Sequence, residues 1–295
     1  MHWTGNIDPV AFTIFGRDVA WYGVIITTSM LLGLFIAIRL VKKINLTSDD
    51  LIELFLVAIP IAILGARIGY VVLHPTQFFN LGHPFGWDDF VNIFAIWDGG
   101  LTITTGAPFG ILGGLLWSKI RKIDFLLLAD TVVFVILICQ ALGRWGNFFN
   151  QELYGQQVLN PSLQFFPYAV FIKNENAWFQ ATFFYESIGT SIGFFLLYFI
   201  SRRLKVKGAG VLCYISYYFA VRSIIESMRT GSMINGVHYA MIACILISVL
   251  SAIGLAFLII HTKKKQGKIW YKNGIPLSEY PSAKLSDRNK EKISN

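Results

Sequence analysis

The chain has 295 residues, a formal net charge of +8, 55% hydrophobic residues and only 14% charged ones. Soluble domains are about a quarter charged, so these figures exclude a disordered protein, a coiled coil and an ordinary soluble enzyme. A mean hydropathy of +0.57 with 25 phenylalanines indicates a polytopic membrane protein.

Residues 1–18 carry Arg17 but no lysine, so the positive start of a cleavable signal is missing. Seven apolar runs follow, near 19–38, 54–73, 99–118, 125–144, 181–200, 209–228 and 237–260. Each is about long enough to cross a bilayer as a helix. The expected fold is an all-α membrane protein of seven transmembrane helices, occupying residues 1–261. The longer gap at 145–180, rich in aromatics around Asn160, Pro161, Pro167, Tyr168 and Trp178, is expected to form a small outer-face head. Contact with a peptide or with lipid is its expected role, and a folded cap with no direct contact is the competing reading. Cys139, Cys213 and Cys244 all fall in apolar stretches, which suggests neither a disulfide framework nor a metal cluster.

Basic residues orient the bundle. Arg39, Lys42 and Lys43 follow the first run, Lys119, Arg121 and Lys122 the third, and Arg202, Arg203, Lys205 and Lys207 the fifth. Nine more lie between Lys263 and Lys292, so 19 of the 25 Lys and Arg fall on one side. The positive-inside bias makes that side cytoplasmic and puts the N-terminus outside. Segment 262–295 reads as a basic cytoplasmic tail, suited to anionic lipid head groups. Membrane lipids are therefore expected partners, and nucleic acid is not.

A charge inside a spanning helix costs about 2.5–3.5 kcal/mol on insertion scales, so each needs a partner or a task. Seven such positions stand out: Arg67, Asp130, Arg144, Glu186, Arg222, Glu226 and Arg229. Four are arginine and none is lysine. The planar guanidinium fork fits phosphate or carboxylate oxygens two at a time, which favours an anionic, phosphorylated substrate. Arg222, Glu226 and Arg229 stand at i, i+4 and i+7 and share one helix face, so Glu226 can brace either arginine. A self-neutralising triad that joins helices is the competing reading. Arg67 sits among small residues in Gly65-Ala66-Arg67-Ile68-Gly69-Tyr70, where close packing and a buried pair with Asp130 or Glu186 compete with substrate contact.

The densest polar segment is Gly143-Arg144-Trp145-Gly146-Asn147-Phe148-Phe149-Asn150-Gln151-Glu152-Leu153-Tyr154-Gly155. Its glycines are expected to let the backbone turn and approach a ligand, and its asparagines to supply donors and acceptors. An aromatic interfacial belt alone would not interleave Arg, two Asn and Glu. The segment resembles the signature of the prolipoprotein diacylglyceryl transferases, Gly-Arg-x-Gly-Asn-Phe-x-Asn-x-Glu with an aromatic and a glycine after one further residue. The resemblance extends to Trp21-Tyr22-Gly23, to Gly65 through Tyr70, to Ile96 through Leu101, to Asp130, to Gln180 through Glu186, and to Arg222, Glu226 and Arg229.

The resemblance implies transfer of a diacylglyceryl group from phosphatidylglycerol to the lipobox cysteine of prolipoproteins at the outer face of the bacterial cytoplasmic membrane, with no metal or cofactor. Arg144, Arg222, Glu152 and Asn147 are the expected catalytic residues. Tyr22, Arg67, Asn150, Gly155, Glu226, Arg229 and Thr104 are the expected substrate-binding ones. The chain departs from the family at Thr104, where a histidine is usual, and at Thr105, which replaces a glycine. Threonine is no general base, so either the histidine is not the essential base, or this chain uses another group, Glu152 being the nearest carboxylate in the signature, or activity is low or lost. A membrane transporter or flippase for an anionic lipid or a small phosphorylated molecule is the alternative, although no internal repeat between the halves supports it.

Overall fold

The computed structural model describes residues 7–44, 46–79, 86–96, 99–201, 206–229 and 238–266. Trp97, Asp98, Arg202, Arg203, Lys205, residues 230–237 and the tail beyond Gln266 lie outside the described residues. The chain divides into two compact units, residues 46–128 and residues 1–45 with 129–295.

In the 46–128 unit, α2 (Ser48–Leu73) starts at a reciprocal cap. Asp50 N–H donates to Thr47 Oγ1 at 3.2 Å, and Thr47 N–H donates to Asp50 Oδ2 at 2.9 Å. Pro75 ends the run by opening the short α3 (Pro75–Phe78). α4 (Trp87–Phe94) follows, then α5 (Ile103–Arg121), which stops at Lys122 in a left-handed conformation. α2 and α5 meet through small residues. A Cβ on Gly113 would stand 3.1 Å from Ala58 Cα, and one on Gly69 would overlap the Thr105 side chain. Arg121, near the end of α5, pairs with Glu53 at 3.1 Å and with Asp50 at 3.5 Å.

The other unit opens with an antiparallel hairpin, β1 (Val10–Ile14) and β2 (Arg17–Ala20), that runs directly into α1 (Trp21–Val41). Its turn residues Phe15 and Gly16 both have positive φ, which is what a tight two-residue hairpin requires. Along the unit α1 packs on α7 (Val135–Phe149), α7 on α8 (Thr182–Ser201), α8 on α9 (Ala209–Met228), and α9 on α10 (Tyr239–Gln266). Leu40, Phe134, Val135, Leu137 and Leu197 form one buried core. A second core, Phe148, Val170, Ile172, Phe179, Ala181 and Phe183, lies beneath a hairpin of β3 (Ala169–Ile172) and β4 (Ala177–Gln180).

Each of the seven expected runs is mostly helical among the described residues, and the fourth is broken. α6 (Phe125–Val132) and α7 are bent by 53° across Val133 and Phe134. Among the described residues four helices, α1, α2, α8 and α10, are each long and apolar enough to cross a membrane, and the bent pair makes a fifth span if counted as one. α5 and α9 are of similar length but more polar. Large apolar side chains such as Leu246, Leu250, Ile253 and Phe257 on α10 are exposed, a surface suited to lipid rather than water. The chain is thus a mostly helical, multi-pass membrane protein.

Three details differ from the sequence reading. The two hairpins were not anticipated, because four- and five-residue strands leave little periodicity to read. The segment from Trp145 to Phe149 belongs to α7 rather than to the head, and α10 continues past residue 261 to Gln266.

Candidate functional site

Three helices of the unit containing α7 bring the charged residues together. Arg144 and Asn147 sit one turn apart on the last part of α7, Glu186 in the second turn of α8, and Arg222 and Glu226 on one face of α9, with Arg229 at its C-cap. Glu186 is the centre. Its Oε1 lies 2.8 Å from Arg144 Nη2, an ion contact whose N–H is not aimed along a hydrogen-bond axis. Its Oε2 accepts from Arg222 Nη1 at 3.1 Å. Arg222 Nη2 reaches Glu226 Oε2 at 2.7 Å, and Arg229 Nη1 lies 3.4 Å from the same oxygen.

The network continues toward the loop that follows α7. Arg144 Nη1 donates to Asn147 Oδ1 at 3.4 Å. Asn147, itself buried, donates from Nδ2 to Glu152 Oε1 at 2.9 Å, and Asn150 Nδ2 reaches that oxygen at 3.3 Å. Three arginines and three glutamates are joined without a break, so their formal charges cancel. Cancellation is what lets so many ions share an apolar bundle.

Local geometry explains the signature's composition. Gly143 and Gly146 are helical and make no turn, contrary to the expectation from sequence. A Cβ on Gly146 would stand 2.5 Å from Tyr22 Cδ2, so the glycine makes room for the Tyr22 ring. That ring lies close enough to Glu152 and Arg144 to feel both charges. The irregular backbone begins after Asn150. Gln151 and Leu153 flank Glu152 with φ of +51° and +57°, left-handed values that side chains adopt at a cost of about 1 kcal/mol or more each. The loop is pinned in that shape. Gln151 Nε2 donates to Phe171 O, and Lys173 N–H donates to Gln151 Oε1, both at 3.1 Å. The Thr182 hydroxyl donates to Leu153 O at 2.7 Å. Gly155 N–H donates to Gln180 O at 3.0 Å, and its backbone forms a bridge with Arg229. A Cβ there would stand 2.8 Å from Thr182 Cγ2. Tyr154 donates to Glu175 at 3.0 Å; partial burial and then the adjoining carboxylate raise its phenol pKa above the ordinary value.

Tyr22, Arg144, Asn147, Asn150, Glu152, Gly155, Arg222, Glu226 and Arg229 therefore gather in one unit. Arg67 and Thr104 belong to the other. Arg67 is buried, but its partners are neither Asp130 nor Glu186. It donates to the backbone carbonyls of Ile93 at 2.9 Å, Gly99 at 2.8 Å, Gly100 at 3.1 Å and Asn92 at 2.5 Å. Those carbonyls belong to the end of α4 and the segment leading to α5, so Arg67 ties the two to α2. Asp130 instead accepts from the Gly208 and Val211 N–H groups and caps α9. Thr104 is exposed in the first turn of α5.

The residue that sequence reasoning undervalued is Glu186. It was noted as an intramembrane charge but not placed in the site. Its link to Arg144 spans 42 residues, and no spacing rule carries that far. Chemically, the cluster offers guanidinium groups to an anion next to an exposed carboxylate, Glu152, with one oxygen held by two amides.

Comparison with known proteins gives consistent matches. A family model described as prolipoprotein diacylglyceryl transferase matches residues 9–260. The chain is 35% identical over 273 residues to the phosphatidylglycerol–prolipoprotein diacylglyceryl transferase of Listeria monocytogenes serovar 1/2a, covering 90% of this chain and 93% of the relative. It is 36% identical over 234 residues to the enzyme of that name from Clostridioides difficile, covering 78% and 86%. It is also 36% identical over 264 residues to that of Clostridium botulinum strain Langeland, covering 88% and 99%.

Proposed function

Since the chain belongs to the prolipoprotein diacylglyceryl transferase family, we infer that it transfers the diacylglyceryl group of phosphatidylglycerol to prolipoprotein. The acceptor is the thiol of a lipobox cysteine. The cysteine sulfur attacks the glycerol carbon that bears the phosphate ester. A carbon–sulfur bond forms, the carbon–oxygen bond breaks, and its electron pair leaves on the phosphate as glycerol phosphate. The product is a thioether, and the thiol proton passes to a base or to the departing phosphate.

Arg144 and Arg222 serve the phosphate. That group gains negative charge as the ester bond breaks, so guanidinium donors aimed at it stabilise the transition state more than the bound lipid. Glu152 serves the thiol, whose reference pKa is about 8.5 and which reacts as thiolate. Asn147 joins the two, accepting from Arg144 and donating to Glu152. Tyr22, Asn150, Gly155, Glu226 and Arg229 are assigned to substrate binding beside the network, and Arg67 and Thr104 are assigned to substrate binding separately. The seven helical runs all cross the bacterial cytoplasmic membrane, with the N-terminus and the head outside and the tail from 262 in the cytoplasm. Anionic membrane lipids meet that basic tail.

The single observation that carries the site assignment is the unbroken network from Arg229 to Glu152 through Glu186 and Asn147. The transporter alternative gains nothing from the relatives named above, each of which is called a transferase. The test supplies purified protein with phosphatidylglycerol labelled in its diacylglyceryl part and a lipobox peptide. The wild type forms a labelled thioether. Arg144→Lys keeps the charge but not the fork and loses about one charge-assisted hydrogen bond, 1.5–3 kcal/mol or roughly a tenfold to hundredfold rate. Wild-type turnover by folded Arg144→Lys removes Arg144 from the phosphate role.

A further inference from the structure

We propose that Glu186 is the positioning residue that sets the separation and aim of the two phosphate-binding arginines, and that it stays in place when phosphatidylglycerol binds. The proposal rests on the assignment of Arg144 and Arg222 to the lipid phosphate. Three observations carry it. Glu186 divides its two oxygens between arginines of two different helices, Oε1 toward Arg144 of α7 and Oε2 toward Arg222 of α9. Its own helix is held to α7 independently, because the Ser187 hydroxyl donates to Ala141 O at 2.8 Å. And burial is unequal: the Glu186 side chain is 2% exposed, while those of Arg144 and Arg222 keep 21% and 20%.

That inequality separates two readings. A carboxylate bridging two guanidinium groups could be a stand-in that the lipid phosphate displaces. Displacement would leave an unpaired carboxylate where water does not reach, at a cost of several kcal/mol. The arginines, by contrast, offer surface to an arriving anion without letting go of Glu186. The buried carboxylate thus backs the guanidinium pair, and the phosphate meets its open side.

Replacing Glu186 by glutamine makes the readout specific. The amide keeps one acceptor oxygen but turns an NH2 toward the other guanidinium, donor against donor. One arginine is released, and the pair loses its spacing. In mixed micelles of stated phosphatidylglycerol fraction, with full-length protein and a lipobox peptide, Glu186→Gln raises the KM for the lipid by about tenfold or more, the loss of a charge-assisted bond. The KM for the peptide stays within about twofold. Glu186→Asp keeps the carboxylate and recovers part of the lipid KM. In the Arg222→Gln background the effect of Glu186→Gln shrinks, since the two residues act through one contact.

A lipid KM that is unchanged or lower in Glu186→Gln overturns the proposal, the lower value marking a displaced stand-in. Full additivity with Arg222→Gln overturns it too. If Glu186→Gln does not fold, Glu186→Asp carries the test, and wild-type lipid KM in that variant is equally fatal. If Arg222→Gln by itself leaves the lipid KM at the wild-type value, the phosphate assignment fails. A raised KM there with no effect at Glu186 sinks only the present inference.

Discussion

Glu152 stands where two structural demands meet. Its backbone is clamped between two left-handed residues, and one carboxylate oxygen is held by Asn147 and Asn150. If it takes the thiol proton, Glu152→Gln is slow at neutral pH and regains rate as pH rises toward the thiol's own pKa near 8.5, where thiolate forms unaided. If it only braces Asn147 and Arg144, the deficit is flat with pH. A pH–rate profile of kcat/KM for the peptide decides, and the expected outcome is recovery above about pH 8. Single residues of this kind were well marked in the sequence by their chemistry, since Arg, Asn and Glu in an apolar chain need a reason. Their partners were not. Arg67 looked like half of an ion pair and proved to hold four carbonyls.

Helix ends carry the next level of organisation. Asp130 lies on α6 yet caps α9, accepting from Gly208 and Val211. Asp130→Ala removes a carboxylate from a helix N-terminus and costs about 1–2 kcal/mol. The loss is expected as a lower thermal midpoint in detergent. Arg222 lies 13 residues into α9, about 20 Å along the axis, so fraying at the first turn does not reach it. The folded Asp130→Ala protein is expected to keep the wild-type lipid KM, which separates a cap from a site residue. A raised KM in this variant places Asp130 in the network instead. The glycines were legible only in part. Those of the signature were expected to make turns, yet Gly146 is helical and accommodates Tyr22 from a helix more than a hundred residues earlier.

For the whole molecule, the proposed orientation follows from the placement of 19 of the 25 Lys and Arg. In a chain with Cys139, Cys213 and Cys244 replaced, an impermeant thiol reagent labels Asn6→Cys in intact cells and Ser294→Cys only after lysis. Labelling at 294 from outside reverses the topology. Membrane character, the seven helical runs, the residue types at the site and the family were all determined by the sequence. Hydropathy and intramembrane charge are properties of a stretch of chain, and the signature is contiguous from Gly143 to Gly155. Tertiary structure alone decided who pairs with whom. Glu186 meets Arg144 and Arg222 because three helices converge. Asn147 meets Glu152 because the backbone after α7 turns through left-handed residues held by β3 and Thr182. Such contacts depend on how helix faces and loop turns are set against one another, and ionic demand in a sequence says that a partner exists without saying which one.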